Sequence, residues 1–273
     1  MLPFIDADNA MGSRAGDVDD GFAIALLLIA ADSVAGLASV HGNTSEEQAA
    51  RNNLRLADLC RFAGPVLRGA TSVDRPRDAS RFLLEDGRPL QYVAFGPLTN
   101  LAAALLLDRT AVENRVKEVV IVGANASSKG RWPPHWPHEF NLTKDLRATK
   151  IVFDSALPLV IAPLDVLRRM RVGRGDLEKL EGALGKYLRT ESRRWLTRAA
   201  LLKWSRSFPV WDLVAAMYAL GEESIRAERV RAKFHGNGRV EFGNGLREVT
   251  LIRGFDRDRI WRRFEEEIAR HEK

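Results

Sequence analysis

The sequence predicts an α/β fold with a single open, mostly parallel sheet flanked by helices. Three observations carry that prediction. Short apolar runs rich in Val and Ile alternate with longer helical patterns, the mark of strands joined by crossover helices. No apolar run is long enough to span a membrane. No repeat, low-complexity tract or long linker divides the chain, so residues 1–273 read as one domain.

The elements follow in order. Leu2-Pro3-Phe4-Ile5 opens a strand over 2–6. A helix over 19–31 is built on the continuous apolar run Phe22-Ala23-Ile24-Ala25-Leu26-Leu27-Leu28-Ile29. Strand 34–40 precedes helix 46–63, whose apolar face carries Leu54, Leu56, Leu59 and Phe62. Strands 65–68 and 90–95 come next. Helix 97–107 then begins with Pro97 in its first turn, where the missing N–H is not needed. Strand 117–123, helix 144–155 and strand 158–163 complete the alternating part. The amphipathic stretch 176–206 predicts a helical cap over the site, and helices are expected over 212–220 and 257–270. Between these two, residues 228–252 carry Gly236-Asn237-Gly238 and Gly243-Asn244-Gly245 among β-prone residues. That pattern predicts a small antiparallel hairpin region near the C-terminus.

Composition sets the class. Hydrophobic residues make up 45% and charged residues 29%, an ordinary soluble balance. The net charge of +6 is uneven: Arg168 to Arg206 holds 12 Lys/Arg against four Asp/Glu. Solvated amphipathic helices account for this excess. A basic rim for anionic ligands or nucleic acid is the alternative, but no nucleic-acid motif accompanies it. No charged n-region or cleavage site precedes the first strand, so no signal peptide is expected. The lone Cys60 has no internal partner, which fits a reducing cytoplasm, and its apolar helix face predicts a buried structural thiol.

Five aspartates crowd the junction between the first strand and the first helix: Asp6, Asp8, Asp17, Asp19 and Asp20. Such carboxylates repel one another unless a cation sits among them, and a hard divalent ion with oxygen ligands is the natural partner. Asp17, Asp19 and Asp20 could instead cap the following helix. That reading leaves Asp6 and Asp8 unexplained. Between the two groups, Asn9-Ala10-Met11-Gly12-Ser13-Arg14-Ala15-Gly16 forms a loop able to bring them together.

Four further stretches fall at strand ends or helix starts. His41-Gly42-Asn43-Thr44 follows the strand ending at Val40. Phe95-Gly96-Pro97-Leu98-Thr99-Asn100 is either a plain helix start or a place where the Phe95 carbonyl meets a cation. In Glu139-Phe140-Asn141, an extended segment would turn Glu139 and Asn141 to one side, suited to a polyol. His135, Trp136 and His138 lie just before it. Asp212 reads as a helix N-cap, or, with Trp211 beside it, as a carboxylate next to an aromatic platform.

Taken in order along nearly the whole chain, these pieces resemble the calcium-dependent nucleoside hydrolases, the N-ribohydrolases, and imply their Rossmann-like fold. Asp165, in Pro163-Leu164-Asp165-Val166, also matches a family strand end. The resemblance implies hydrolysis of the N-glycosidic bond of ribonucleosides by a Ca²⁺-oriented water, with Asp8 as base and calcium ligand. It implies Asp20, Asp212 and the Phe95 carbonyl as further calcium ligands. It implies Asp19, Asn43, Glu139 and Asn141 at the sugar, and Asp6 as a supporting carboxylate. The small-molecule nucleoside is the expected partner, with neither nucleic acid nor membrane, in a homo-oligomer (dimer or tetramer).

Three departures accompany the resemblance. Asn9–Val18 is an insertion relative to the usual spacing, and Asp17 could substitute for a neighbour. Trp211 stands where the inosine- and uridine-preferring branch has a His acting as leaving-group acid; the purine-preferring branch has Trp there, so purine nucleosides are favoured. A His-Gly loop carried by many members after the third strand is absent from the short, charged stretch 70–89, and His135, Trp136 or His138 could compensate. Two other readings stay open. An aspartyl-phosphate phosphatase of the haloacid-dehalogenase type would use Asp6-Ala7-Asp8, although Ala10 stands where its Thr belongs. The other is a nucleoside or ribose binder whose chemistry has lapsed.

Overall fold

A computed structural model describes residues 1–13, 16–85, 87–127, 139–201 and 207–273, with only the backbone at 198–201. In chain order the elements begin with β1 (Leu2–Ala7), α1 (Asp19–Ala30), β2 (Gly36–Ser39), α2 (Glu46–Leu59), β3 (Val66–Leu67) and α3 (Asp78–Phe82). They continue with β4 (Leu90–Ala94), α4 (Thr99–Leu107), α5 (Arg109–Arg115), β5 (Val116–Val122), α6 (Phe140–Lys144), α7 (Leu146–Phe153) and β6 (Leu159–Ala162). Next come α8 (Leu164–Leu167), β7 (Arg171–Gly173), α9 (Arg174–Glu178), α10 (Gly182–Leu201), β8 (Ser207–Pro209) and α11 (Trp211–Ala219). The last are β9 (Arg226–Phe234), β10 (Val240–Phe242), β11 (Arg247–Gly254) and α12 (Arg257–His271).

Nine of these strands form one sheet in the spatial order β10-β9-β11-β6-β5-β4-β1-β2-β3. Every pair from β3 across to β11 is parallel, while β9 runs antiparallel to both β11 and β10. The winding reverses at β1, which has β2 and β3 on one side and β4, β5 and β6 on the other. In a doubly wound sheet such a reversal opens a crevice beyond the carboxyl ends of the strands. Asp6 sits in register with Ala38 of β2 and Ala94 of β4, so the chain leaves β1 between those neighbours.

Alternation along the strands sorts their side chains into two apolar layers. Ile5, Ala7, Val93, Val120, Val122, Val160 and Ala162 face one layer. Phe4, Tyr92, Ala94, Val119, Ile121, Leu159 and Ile161 face the other. Burial on both sides is why these strands read as nearly continuous apolar runs. In the first layer α1 packs against α11 and α12, and its residues from Asp19 to Leu27 are buried, which accounts for its lack of a polar face. Phe22 centres an aromatic group there, with ring centroids 6.2 Å from Phe208, 6.1 Å from Trp261 and 5.6 Å from Phe264. The second layer is closed by α4 and α7.

Several expectations need correction. The stretch 176–206 is not one helix: α9 ends at Glu178, Gly182 takes φ +73°, and α10 starts there. Its last residues, 202–206, lie outside the described residues, as do His135, Trp136 and His138. The turn at Gly236-Asn237-Gly238 does form the β9–β10 hairpin, but Gly243-Asn244-Gly245 does not pair β10 with β11. Gly243 takes φ +99° and the chain crosses β9, so that β9 lies between its two partners. The helix expected to reach 63 stops at Leu59, and Arg61 turns into the left-handed region at φ +52°. The helices α3, α5, α6 and α8 and the strands β7 and β8 were not foreseen, because elements of three to seven residues carry too little periodicity. Cys60 is buried, and burial pushes its thiol up to about 12. No described helix is long and apolar enough to cross a membrane.

Phe22→Ala should lower unfolding stability by about 3–5 kcal/mol in urea titration, since it empties the centre of that aromatic group. A loss below about 1 kcal/mol would mean the group does not anchor α1.

Candidate metal centre

Asp6 lies near the end of β1 and Asp8 one residue beyond it, and both carboxylates are fully buried. Asp6 accepts hydrogen bonds from the Tyr92 hydroxyl and from Asn100 Nδ2, the latter at 2.8 Å. Asn100 also donates to the Ser39 carbonyl (2.9 Å) and accepts from the Ala70 N–H (2.6 Å). One amide therefore ties together the ends of β1 and β2 and the loop after β3. The Asp8 carboxylate accepts the Asn43 backbone N–H at 2.5 Å. Glycine makes room for it on both sides. A Cβ on Gly42 would run into the Asp8 carboxylate, and one on Gly96 would lie 3.1 Å from Asp8 Cβ and 2.8 Å from Val40 Cγ1. The His41–Thr44 turn beyond β2 and the Phe95-Gly96 corner beyond β4 thus close around Asp8.

The second half of the centre comes from two helix starts. Asp19 and Asp20 lie in the first turn of α1, and Asp212 in the first turn of α11. Each offers an oxygen within 4.8 Å of the others. The N-cap positions are Val18 and Val210, and neither helix has a side-chain cap. The capping reading of Asp19, Asp20 and Asp212 is therefore overturned. Both Asp20 oxygens and Asp19 Oδ1 are buried and receive no hydrogen bond from the described residues.

Electrostatics points the same way. Burial pushes Asp8 up to about 7, with the nearby Asp17 charge adding to it. Burial raises Asp19, Asp20 and Asp212 well above the usual carboxylate range, and the neighbours that raise them further are all aspartates. Two helix N-termini offer partial positive charge, but only fractions of a unit each. A hard cation with oxygen ligands suits this donor set: it would occupy the orphaned oxygens and reverse the pKa shifts.

The remaining predicted residues divide. Glu139 and Asn141 do not lie on an extended segment. Glu139 caps α6, accepting the N–H groups of Asn141 (2.7 Å) and Leu142 (2.6 Å), and burial pushes it up to about 7. Asn141 Nδ2 donates to the carbonyls of Phe95 and Val122, each at 3.0 Å, joining the ends of β4 and β5. The Phe95 carbonyl is thus partly engaged, with one lone pair left. Asn43 is exposed, and besides its backbone N–H it offers its side-chain Nδ2 to Asp8 Oδ1 at 3.5 Å. Trp211 is half-buried next to Asp212, and its buried indole N–H has no partner among the described residues. Asp165 braces the chain beyond β5 by accepting the N–H groups of Ala126 (2.7 Å) and Ser127 (3.0 Å). Sequence reasoning missed Tyr92 and Asn100 as the holders of Asp6. Tyr92 alternates like any core residue, and Asn100 stood in a quoted stretch without a role.

The family model described as inosine-uridine preferring nucleoside hydrolase matches residues 4–262. The pyrimidine-specific ribonucleoside hydrolase RihA of Salmonella typhimurium is 29% identical over 206 residues, covering 63% of this chain and 65% of that protein. The chain thus aligns with a little under two thirds of the length of that curated relative. Two solved structures share the fold. An inosine-guanosine nucleoside hydrolase has a TM-score of 0.81 at 21% identity over 98% of both chains. A purine-preferring ribonucleoside hydrolase from Gardnerella vaginalis has a TM-score of 0.81 at 20% identity, covering 100% of this chain and 99% of that one.

A carboxyl whose folded pKa lies above its unfolded value binds more protons when folded, so stability falls as pH rises through the window between the two. Asp6 and Asp8 move from 3.8 to about 7, both chiefly through burial. The chelated protein should therefore lose thermal stability from about pH 4 to about pH 7, and an added hard divalent cation that occupies the centre should raise Tm most at the upper end. Scanning calorimetry with and without chelator tests this; a chelated Tm that climbs over that range would refute it.

Proposed function

This chain belongs to the inosine-uridine preferring nucleoside hydrolase family, and from that premise we propose that it hydrolyses the N-glycosidic bond of ribonucleosides to ribose and free base. The observation that carries the reading is the convergence of buried, unsatisfied aspartate oxygens at the winding reversal of the sheet. Ribose offers a vicinal diol, and a cation held by carboxylates is the economical way to grip a diol beside a water.

Asp8, Asp20, Asp212 and the Phe95 carbonyl are the proposed ligands of Ca²⁺. When bound, the ion supplies orientation of the water and the sugar hydroxyls and lowers the water's pKa. Asp8 takes the proton from that water, its carboxylate oriented by the Asn43 N–H. Asp6, two residues earlier at the end of β1, supports Asp8. Asp19, Asn43, Glu139 and Asn141 surround the sugar. Glu139 acts there with the acceptor capacity its helix-capping bonds leave free. Neighbouring carboxylates stabilise positive charge developing at C1′ as the base departs.

Trp211 beside Asp212 supports a preference for purine nucleosides, by stacking on the base. The curated relatives, named as pyrimidine-specific, favour the second reading, in which uridine and cytidine are the substrates. The lone buried Cys60 supports a cytoplasmic setting, and the family resemblance supports a homo-oligomer. The family match displaces the phosphatase alternative.

Purified protein should release reducing sugar from inosine, adenosine, uridine or cytidine, lose that activity on thorough chelation, and regain it with Ca²⁺. Nucleoside binding without any sugar release would instead favour a lapsed enzyme. Asp8→Asn should cut turnover by about 10²- to 10⁴-fold with an unchanged circular dichroism spectrum; a near-wild-type rate would remove Asp8 as the base.

A further inference from the structure

α2 buries two asparagines and leaves the leucine beside them outside. Asn52 is 6% exposed and Asn53 fully buried, while Leu54 is 56% exposed. Asparagine is a poor helix former, and a buried amide costs stability unless its polar atoms find partners. Here they do. Asn53 Oδ1 accepts Asn9 Nδ2 at 3.0 Å, and Asn53 Nδ2 donates to the Ala38 carbonyl of β2 at 3.1 Å. Asn52 Nδ2 donates to the Asn9 carbonyl at 2.7 Å, and Asn52 Oδ1 accepts Gln48 Nε2 at 2.8 Å. Asn9 is itself fully buried, and its Oδ1 accepts the Met11 N–H at 3.0 Å. The side chain and the carbonyl of Asn9 are therefore both fixed to α2.

Asn9 directly follows Asp8. On the other side of Asp8 the sheet ends at Ala7, whose carbonyl accepts the Val40 N–H at 3.0 Å. Asp8 thus stands between the sheet and the Asn9 clamp. Its carboxylate is held from a second direction by the Asn43 N–H, two residues before Ser45, the N-cap of α2. In the first turn of α2, Glu46 locks the helix in place, accepting Ser39 Oγ at 2.7 Å and the Gly69 N–H at 3.1 Å. One helix and its leading turn therefore hold both the Asp8 carboxylate and the backbone that carries it. Such a grip matters to a base, because a misplacement of about 1 Å can cost about a hundredfold in rate.

We propose that Asn52 and Asn53 are positioning residues: acting through Asn9, they hold Asp8 where it takes the proton from the attacking water, a role that rests on the reading of Asp8 as the base given above. Neither asparagine touches substrate. The helix register that turns them inward in place of Leu54 serves the site and not the core.

Steady-state kinetics on inosine and uridine, run well below each variant's Tm, compare wild type with N53A, N9A and the double variant N9A/N53A. N9A breaks the Asn9–Asn53 bond from the other end and leaves α2 intact, so it serves should N53A fail to fold. Each single variant should lower kcat by about ten- to a hundredfold. KM should stay within about threefold, since the sugar-facing residues are untouched. The double variant should lie within about threefold of the weaker single variant, because both changes remove one shared contact. Wild type that hydrolyses neither nucleoside would overturn the proposed function and the positioning role with it. An active wild type whose single variants keep kcat within about threefold would overturn the positioning role alone. So would a rise in KM at unchanged kcat, which would assign the asparagines to substrate binding. Losses that multiply in the double variant would overturn the path through Asn9.

Discussion

Carboxylates packed together away from water repel, and this fold buries Asp8, Asp19, Asp20 and Asp212 near one another. No arrangement of the protein alone relieves that repulsion. Among the described residues Asn43 donates to Asp8, and neither Asp20 side-chain oxygen has a hydrogen-bond partner. Protonation or a cation must supply the balance, and only a cation leaves the oxygens free to act as bases and ligands near neutral pH. The loops, glycines and helix starts around the cluster make sense as means of holding charges together that would otherwise separate.

The scaffold does this with parallel-sheet topology. Reversal of winding at β1 leaves a gap beyond its carboxyl end, with β2 and β4 as walls. Gly42 and Gly96 keep those walls thin enough for Asp8 to stand between them. Asn100 and Tyr92 anchor Asp6 one turn of the pleat below. Packing of α1 against α11 brings Asp19 and Asp20 to Asp212 across a sequence distance that no local motif spans. The aromatic group around Phe22 stabilises that helix pair, so core packing in one layer sets the geometry of the charges at its edge.

Sequence reasoning saw much of the fold because buried parallel strands and apolar helices are long, regular signals. The strands at 2–7, 90–94, 116–122 and 159–162, and the helix from Asp19, lie within a residue or two of expectation. It misjudged the second Gly-Asn-Gly turn, since a turn signal does not say which strand the chain will join. It also took Glu139 and Asn141 for an extended pair. Glu139 is a helix cap and Asn141 bridges two strand ends, roles that depend on where β4 and β5 stop.

By itself, the sequence determined the kinds of donor available and their order along the chain: hard oxygen ligands at a strand end, a turn with Gly-Asn, a late Asp after a Trp. Composition and periodicity are local properties, and they are legible one residue at a time. Tertiary structure alone decided which of those oxygens meet and which are consumed by backbone N–H groups. These outcomes hinge on contacts such as Gly42 on Asp8 and α1 on α11. Such contacts are set by how the layers pack, and packing is a property of the whole chain.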